Sequence, residues 1–301
     1  MKVLIFEYIT ASSEEMSESL RHEGQMMLDA LQANFEKLTE IEVIIATTDT
    51  FQHQLQTVDA AWIIAPEFDE ILEQLCLQVE NENKILLTSP SKAVVQTANK
   101  LTTFQMLTAA KIPTVPTEIF SPSKSYDGTQ AWIIKPIDGA GAENTFLLQS
   151  KDDWSALPLF EKTMLIQPQI DGEKISLSCI FKNGQARLLC VNLQIFEMKK
   201  QKFELKNIVV NFKQDDGRYQ KLVSQIAVAF PDLFGYVGID LIENETDCFV
   251  LEINPRLTTS FVQIEEKIGV NVAKLVIDCA LGQTLFAPFP QTNSLPKPAQ
   301  T

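Results

Sequence analysis

Asp240, Glu252, Asn254 and Arg256 are the residues of this chain whose types and spacing best support chemistry. They sit on two apolar, β-rich runs, residues 235–242 and 248–256, separated by a polar turn, which reads as a hairpin. Glu252 and Asn254 are two apart and so point to the same face of one strand. Asp240 joins that face if it pairs directly with Glu252, which requires either an odd loop, such as 244–248, or a bulge. Two carboxylates brought together among apolar neighbours repel, and burial adds to the cost. A divalent cation removes the conflict, and an all-oxygen donor set of this kind suits Mg²⁺ carried by nucleotide phosphates. The competing expectation is a pair of core strands whose acids lie at a solvated end.

A second constellation precedes it. Ala131-Trp-Ile-Ile-Lys135-Pro reads as a strand ending in a lysine, followed by Asp138, Gly139, Ala140 and Gly141. Small residues let backbone N–H groups approach phosphate oxygens, and the lysine adds a point charge. The lysine precedes the glycines and no GxxxxGK[ST] is present, so this is not a Walker loop. Lys100, in Asn99-Lys-Leu-Thr-Thr-Phe, sits within a helical pattern that runs from Ser89-Pro to about Ala110.

The elements that must position these groups follow an α/β pattern. Residues 2–9, 41–46, 60–65 and 84–88 read as strands, with helices over about 12–38 and 69–80. The alternation predicts a small doubly wound α/β unit over roughly the first 90 residues. Thr10-Ala-Ser-Ser stands where a dinucleotide-binding fold carries GxGxxG. Loops at the carboxyl ends of parallel strands still tend to face ligands, which makes Glu7, Tyr8 and Glu67 candidate substrate contacts. Farther on, 163–167, 175–181 and 187–195 read as strands, with helices over about 217–230 and 271–281. The lysine-rich stretch 196–211 has no clear period, and the tail from Ala287 has the composition of a disordered segment.

The 301 residues allow two or three packed units, and 45% hydrophobic with 21% charged residues is ordinary globular composition. A net charge of −14 argues against general nucleic-acid binding. No apolar run is long enough for a membrane span, and the acid at Glu7 argues against a leader. The five cysteines are scattered, as reduced thiols in a cytoplasmic compartment would be. The two histidines, His22 and His53, lie near no cysteine pair, which disfavours zinc.

The order of these parts resembles the ATP-grasp superfamily of carboxylate–amine ligases. The matching pieces are Asn99-Lys-Leu-Thr-Thr-Phe, Ile133-Ile-Lys-Pro with the Asp138-Gly-Ala-Gly loop, Leu165-Ile-Gln-Pro-Gln-Ile-Asp-Gly-Glu, and Gly238-Ile-Asp-Leu-Ile with Val250-Leu-Glu-Ile-Asn-Pro-Arg. Phe6-Glu-Tyr, Ala65-Pro-Glu, Asn192-Leu-Gln and Asn254-Pro-Arg-Leu-Thr-Thr-Ser carry a narrower likeness to the tyramine–glutamate ligase group, which serves methanofuran-type cofactor synthesis.

The resemblance implies an ATP-grasp fold, α/β and then α+β, with these expected units: a pre-ATP-grasp domain over 1–91, a lid subdomain over 92–165, a metal-bearing subdomain over 166–286 and a tail over 287–301. It implies that Lys100 and Lys135 hold the phosphates of ATP, that 138–141 covers them, and that the backbone of Gln167, Pro168, Gln169 and Ile170 meets adenine. An acid near Glu173 would bind the ribose; Gln167 stands where the family carries its hinge acid, and Lys174 competes with Glu173 for the ribose position. Asp240, Glu252 and Asn254 would hold Mg²⁺, or Mn²⁺ in its place. Arg256 would face the acyl phosphate, and Asn192, Thr258, Thr259 and Ser260 would serve the substrates, a small carboxylate and an amine. A homodimer is within what the superfamily implies. The rival expectation, a nucleotide sensor or scaffold without catalysis, is opposed by the presence of every metal and phosphate position.

Overall fold

The computed structural model describes residues 1–14, 16–121, 129–139, 144–199, 202–283 and 285. The leading unit runs β1 (Lys2–Glu7), α1 (Tyr8–Ala11), α2 (Glu18–Phe35), β2 (Glu42–Ile45), α3 (Phe51–Leu55), β3 (Ala60–Ile64), α4 (Ile71–Asn81) and β4 (Ile85–Leu86). Its four strands are parallel, in the order β2-β1-β3-β4. The two central strands are buried along almost their whole length, as continuous apolar runs in a covered parallel sheet should be.

Strand β1 stops two residues short of the expected Ile9. The Glu7 carboxylate turns back to accept from the backbone N–H of Ile9 at 3.1 Å and of Thr10 at 2.6 Å, which nucleates the turn α1. Helix α2 starts later than expected because Ser17, not Ser12, caps it through Leu20 N–H at 3.3 Å. The helix expected from Ser89 to Ala110 is two helices, α5 (Ser91–Ala98) and α6 (Lys100–Ala109). Asn99 between them is extended, and its Oδ1 accepts from Leu101 N–H and Thr102 N–H, both at 3.0 Å. That amide cap restarts the helix and puts Lys100 at its first position.

The remainder contains β5 (Glu118–Ile119), β6 (Trp132–Pro136), β7 (Phe146–Leu148), α7 (Lys151–Ser155), β8 (Met164–Pro168), β9 (Glu173–Lys182), β10 (Gln185–Lys199), β11 (Lys202–Lys213), α8 (Arg218–Ala229), β12 (Gly235–Glu243), β13 (Cys248–Asn254), α9 (Ile264–Ile268) and α10 (Val272–Ala280). Among the described residues these strands form one nine-stranded antiparallel sheet, in the order β13-β12-β9-β10-β11-β7-β6-β8-β5. The stretch 196–211 is the outer part of a long hairpin, β10–β11. Its lysines and glutamates lie on a protruding ribbon, where an apolar period is not required. The hairpin end meets β7 at a single rung, Lys202 opposite Phe146, which joins the two halves of the sheet.

Of four core clusters among the described residues, two underlie the elements that carry the candidate residues. One lies under β9, β12 and β13, where Leu177, Leu222, Ile226, Ile239 and Val250 are buried. The other is shared: Leu31 of α2 and Trp62 of β3 pack with Tyr236 of β12 and Val276 of α10. Asn34 of α2 pins this junction, accepting from Val272 N–H at 3.0 Å and donating to Glu265 at 3.0 Å. Helix α2 is thereby fixed against the second sheet. Among the described residues every cysteine is free, and no helix is long and apolar enough to cross a membrane.

Candidate active site

The hairpin β12–β13 pairs Asp240 directly with Glu252. The loop is even; the register comes from a bulge, in which Leu251 and Glu252 together oppose Asp240. Leu251, Glu252 and Asn254 all line a cavity of about 420 Å³, and Ile253 turns into the core behind them. Asp240 accepts from Asn254 Nδ2 at 3.1 Å and from Gln194 Nε2 at 3.0 Å. Burial, and then the charge of Glu252, push the Asp240 carboxyl well above the usual carboxylate range. Burial would raise Glu252 as well, but Lys100 and Lys135 outweigh it and hold Glu252 below its ordinary value.

Both lysines approach from the other side of the cavity. Lys100 Nζ lies 3.3 Å from Glu252 Oε2 and donates to the Gly139 carbonyl at 2.9 Å. Lys135 ends β6 and is almost fully buried. Burial lowers its pKa to about 8, against the opposing pull of Glu252 and Asp240. Its ammonium has no hydrogen-bond partner among the described residues, so it is free to meet an anion in the cavity.

The donor set fits a hard divalent cation that brings further oxygens with it. Two half-buried carboxylates converge, and the Asn254 amide oxygen makes no hydrogen bond among the described residues. Those residues hold no group of three or more His, Cys, Asp or Glu that could bind a metal unaided. Asp240 and Glu252 would hold the ion, and phosphate oxygens would complete its shell.

The cavity continues along β8. Gln167, Pro168, Gln169 and Ile170 line it. Strand β5 covers β8 only at Leu165 and Ile166, so the edge beyond has no strand partner among the described residues. The Gln167 amide donates to Thr117 Oγ1 at 2.7 Å and is buried. Opposite stand Lys174, Phe196 and Phe203, with the Lys174 ammonium 5.3 Å and 4.7 Å from the two ring centroids. Lys174 is the residue that competes with Glu173 in the sequence reading; Phe196 and Phe203 are not among its candidates, because the two rings fall in the stretch whose period is illegible.

At the far end, Arg256, Thr258, Thr259 and Ser260 line the cavity. Arg256 donates to Glu67 Oε2 at 2.7 Å and to the Leu257 carbonyl at 2.9 Å. Tyr236, Thr258, Ser260 and Ser178 share hydroxyl hydrogen bonds of 2.9–3.3 Å, which fixes the floor. Gly238 permits that floor: a Cβ there would fall 2.5 Å from Thr258 Cγ2.

Several expected contacts are placed otherwise. Glu173 points out of the cavity toward Lys213, at 3.7 Å, because strand alternation turns Lys174 inward. Tyr8 belongs to the opposite face of the leading sheet, edge-on to Phe6 at 6.5 Å. Glu67 does not line the cavity; it stands behind Arg256 and holds it. Asn192 is fully buried, occupied by Ser176, Ser178, Cys190 and Asn211, and supports the floor from beneath. Asp138 faces the leading unit, accepting from Asp69 N–H at 3.2 Å. Glu7 reaches the wall with its carboxylate already committed to the α1 turn. Ala140 and Gly141 lie outside the described residues.

Comparison with known proteins places this geometry. Residues 97–260 match the ATP-grasp domain and 25–94 the pre-ATP-grasp domain. The chain is 27% identical over 309 residues to a tyramine–L-glutamate ligase of Methanocaldococcus jannaschii, covering 94% of this chain and 90% of that one. It is 27% identical over 310 residues to the ligase of that name from Methanocaldococcus fervens, covering 94% and 95%. Among solved structures, an ATP-grasp superfamily protein from Archaeoglobus fulgidus superimposes with TM-score 0.73 at 24% identity, covering 92% of this chain and 88% of that one. D-alanine–D-alanine ligase from Bacillus anthracis superimposes with TM-score 0.68 at 14% identity, covering 93% and 96%.

Proposed function

This chain belongs to the ATP-grasp family, and on that premise we propose that it is a ligase joining glutamate to an amine with ATP as the phosphoryl donor. The observation that carries the reading is the direct pairing of Asp240 with Glu252, with Lys100 and Lys135 converging on the pair inside one cavity. Acids and cations drawn partly out of water around one cavity are costly unless a charged ligand uses them. The choice of glutamate and of a tyramine-like amine rests on the names of the two methanocaldococcal relatives, each similar over nearly the full chain. The same resemblance suggests that the amide serves a methanofuran-type cofactor.

In this reading Lys100 and Lys135 grip the phosphates, and the wall of Lys174, Phe196 and Phe203 faces the nucleoside across the cavity from Gln167 to Ile170. Mg²⁺, held by Asp240, Glu252 and Asn254 when bound, would offset phosphate charge. A glutamate carboxylate oxygen forms a bond to the γ-phosphorus as the bond to ADP breaks, giving an acyl phosphate. The amine nitrogen, as the neutral base, then bonds to the acyl carbon, phosphate departs with the C–O electron pair, and the nitrogen's proton passes to the departing phosphate. Arg256, oriented by Glu67, supplies a planar fork for the charge that develops on those oxygens. The protein's part is position and compensating charge.

The test is release of ADP and phosphate with glutamate and tyramine in Mg²⁺, with the amide identified by mass. Turnover that depends on both substrates supports the reading. Phosphate release that no carboxylate stimulates, across a panel of amino acids, refutes it.

A further inference from the structure

The part of the cavity wall supplied by the leading unit has a chemistry of its own. It comes from β1, α1, α2 and the end of β3, and Ile9, Leu20, Met27 and Ile64 make it apolar. The leading unit contributes no lysine, arginine or histidine to the described wall. Its charged members there are two carboxylates, Glu7 and Glu23. They are not equivalent. Glu7 accepts from Ile9 N–H, Thr10 N–H and Thr10 Oγ1, so both oxygens are engaged. Glu23 accepts from two neutral hydroxyls, Ser19 at 3.4 Å and Thr259 at 3.0 Å, and among the described residues no lysine, arginine or histidine forms a salt bridge with it.

The position of Glu23 is fixed from both sides. Thr259 ties it to the segment that follows Arg256, and the Glu23 charge reaches the Arg256 guanidinium. Helix α2 can approach this closely because its neighbour in the wall is Gly24, whose missing side chain would strike the Glu7 carboxyl at 2.8 Å. A carboxylate held by hydroxyls, and without a salt bridge among the described residues, thus stands at the end of an apolar wall, beside the arginine assigned to the acyl phosphate.

We propose that this wall is the acceptor subsite, and that Glu23 selects a primary amine carrying an apolar body and no carboxylate. The inference rests on the ligase reading and deepens it by assigning one substrate to one wall. The ammonium docks on Glu23 within reach of Arg256, and the body lies along Ile9, Leu20, Met27 and Ile64. An α-amino acid of the same body would bring its carboxylate toward Glu7 and Glu23, where the leading unit provides no cation to receive it and Arg256 is already engaged by Glu67. Glu23 is a specificity-determining residue in this assignment.

Two measurements keep this assignment separate from the ligase reading. The first is calorimetric titration of tyramine, and separately of tyrosine, into the protein with a non-hydrolysable ATP analogue and Mg²⁺. Tyramine binding that weakens about tenfold or more in Glu23→Gln, with partial recovery in Glu23→Asp, supports the subsite, that factor being the worth of a charge-assisted contact. Gln25→Ala, an exposed change on the same helix, should bind as the wild type does. Equal affinity of wild type and Glu23→Gln for tyramine, or tyrosine binding as tightly as tyramine, overturns it. The second is steady-state turnover, in which Glu23→Gln should raise KM for the amine about tenfold. A KM for the amine unchanged by Glu23→Gln also overturns the assignment. Absence of turnover with every acceptor, alongside intact Glu23-dependent binding, would refute the ligase reading and leave the subsite standing.

Discussion

Lys100 Nζ stands 3.3 Å from Glu252 Oε2, a cation from the first turn of α6 against a carboxylate from β13. The same ammonium holds the Gly139 carbonyl, and the Lys100 N–H donates to Ile137 O at 3.0 Å. One residue therefore couples the loop after β6 to the acidic hairpin. A polyphosphate entering the cavity would compete for this ammonium, and a divalent ion would compete for this carboxylate.

Glu252→Gln should lower turnover by about 10²–10³-fold, the usual loss when a preorganised charge is removed. Its effect on unfolding free energy should stay within about 1 kcal/mol, because relief of repulsion on Asp240 offsets the stranding of Lys100. In the wild type, chelation of divalent ions should abolish most of the melting-temperature rise produced by ATP. An active Glu252→Gln variant would remove Glu252 from the metal site.

Arg256→Lys should cut kcat by about 10²-fold, since an ammonium cannot serve Glu67, Leu257 O and a substrate oxygen at once. Glu67→Gln should cause a smaller loss, about tenfold, by leaving the guanidinium less firmly aimed. If the Glu67 variant proves the more damaging of the two, the order of contact described here is reversed.

Gly24→Ala sets two effects in opposition. Alanine gains about 1 kcal/mol of helix propensity over glycine in mid-helix. The new Cβ would meet the Glu7 carboxyl at 2.8 Å, and that carboxyl cannot swing away without releasing the α1 turn. Loss of a buried cap outweighs the propensity gain, so a net destabilisation of about 1–2 kcal/mol is expected in urea unfolding. A stabilised variant would show that Glu7 is not held as described.

Glu243 gives the acid limb of stability a named source. Burial would raise its pKa, but hydrogen bonds from Lys213 and Tyr219 outweigh burial and hold it below the ordinary carboxylate value. A carboxyl depressed on folding adds stability that is complete above its unfolded pKa, about 4.3, and is lost as pH falls through the folded value. Midpoints of urea unfolding should therefore fall on acidification below about pH 4.3 in the wild type. They should fall less steeply in Tyr219→Phe, which removes one of the donors. Equal slopes would assign the acid limb to other carboxylates.

The acidic hairpin and the lysine-bearing strand were readable because their chemistry needs residue types that stand out against apolar runs. Asp240 facing Glu252 was legible as a condition, an odd loop or a bulge; the chain uses the bulge at Leu251, which no local pattern announces. Asn99 was hidden because a polar residue inside a helical period looks like a solvated face until its extended backbone is seen. Glu173 and Lys174 were separable only by strand phase. The rings of Phe196 and Phe203 were illegible because a two-stranded ribbon beside a cavity has no core face to impose a period. Glu23 had no signal in sequence, since its place in the wall, held by hydroxyls and not by a salt bridge, depends on its folded neighbours.

The cations of the cavity sit in a chain whose net charge is −14. At long range such a charge repels a nucleotide, and the lysines of the cavity attract it only at contact range. Added salt screens the outer repulsion, over a Debye length of about 8 Å at physiological ionic strength, far more than it weakens contacts made out of water. Capture of ATP should therefore quicken as ionic strength rises from very low values, the reverse of the steering seen when opposite charges meet.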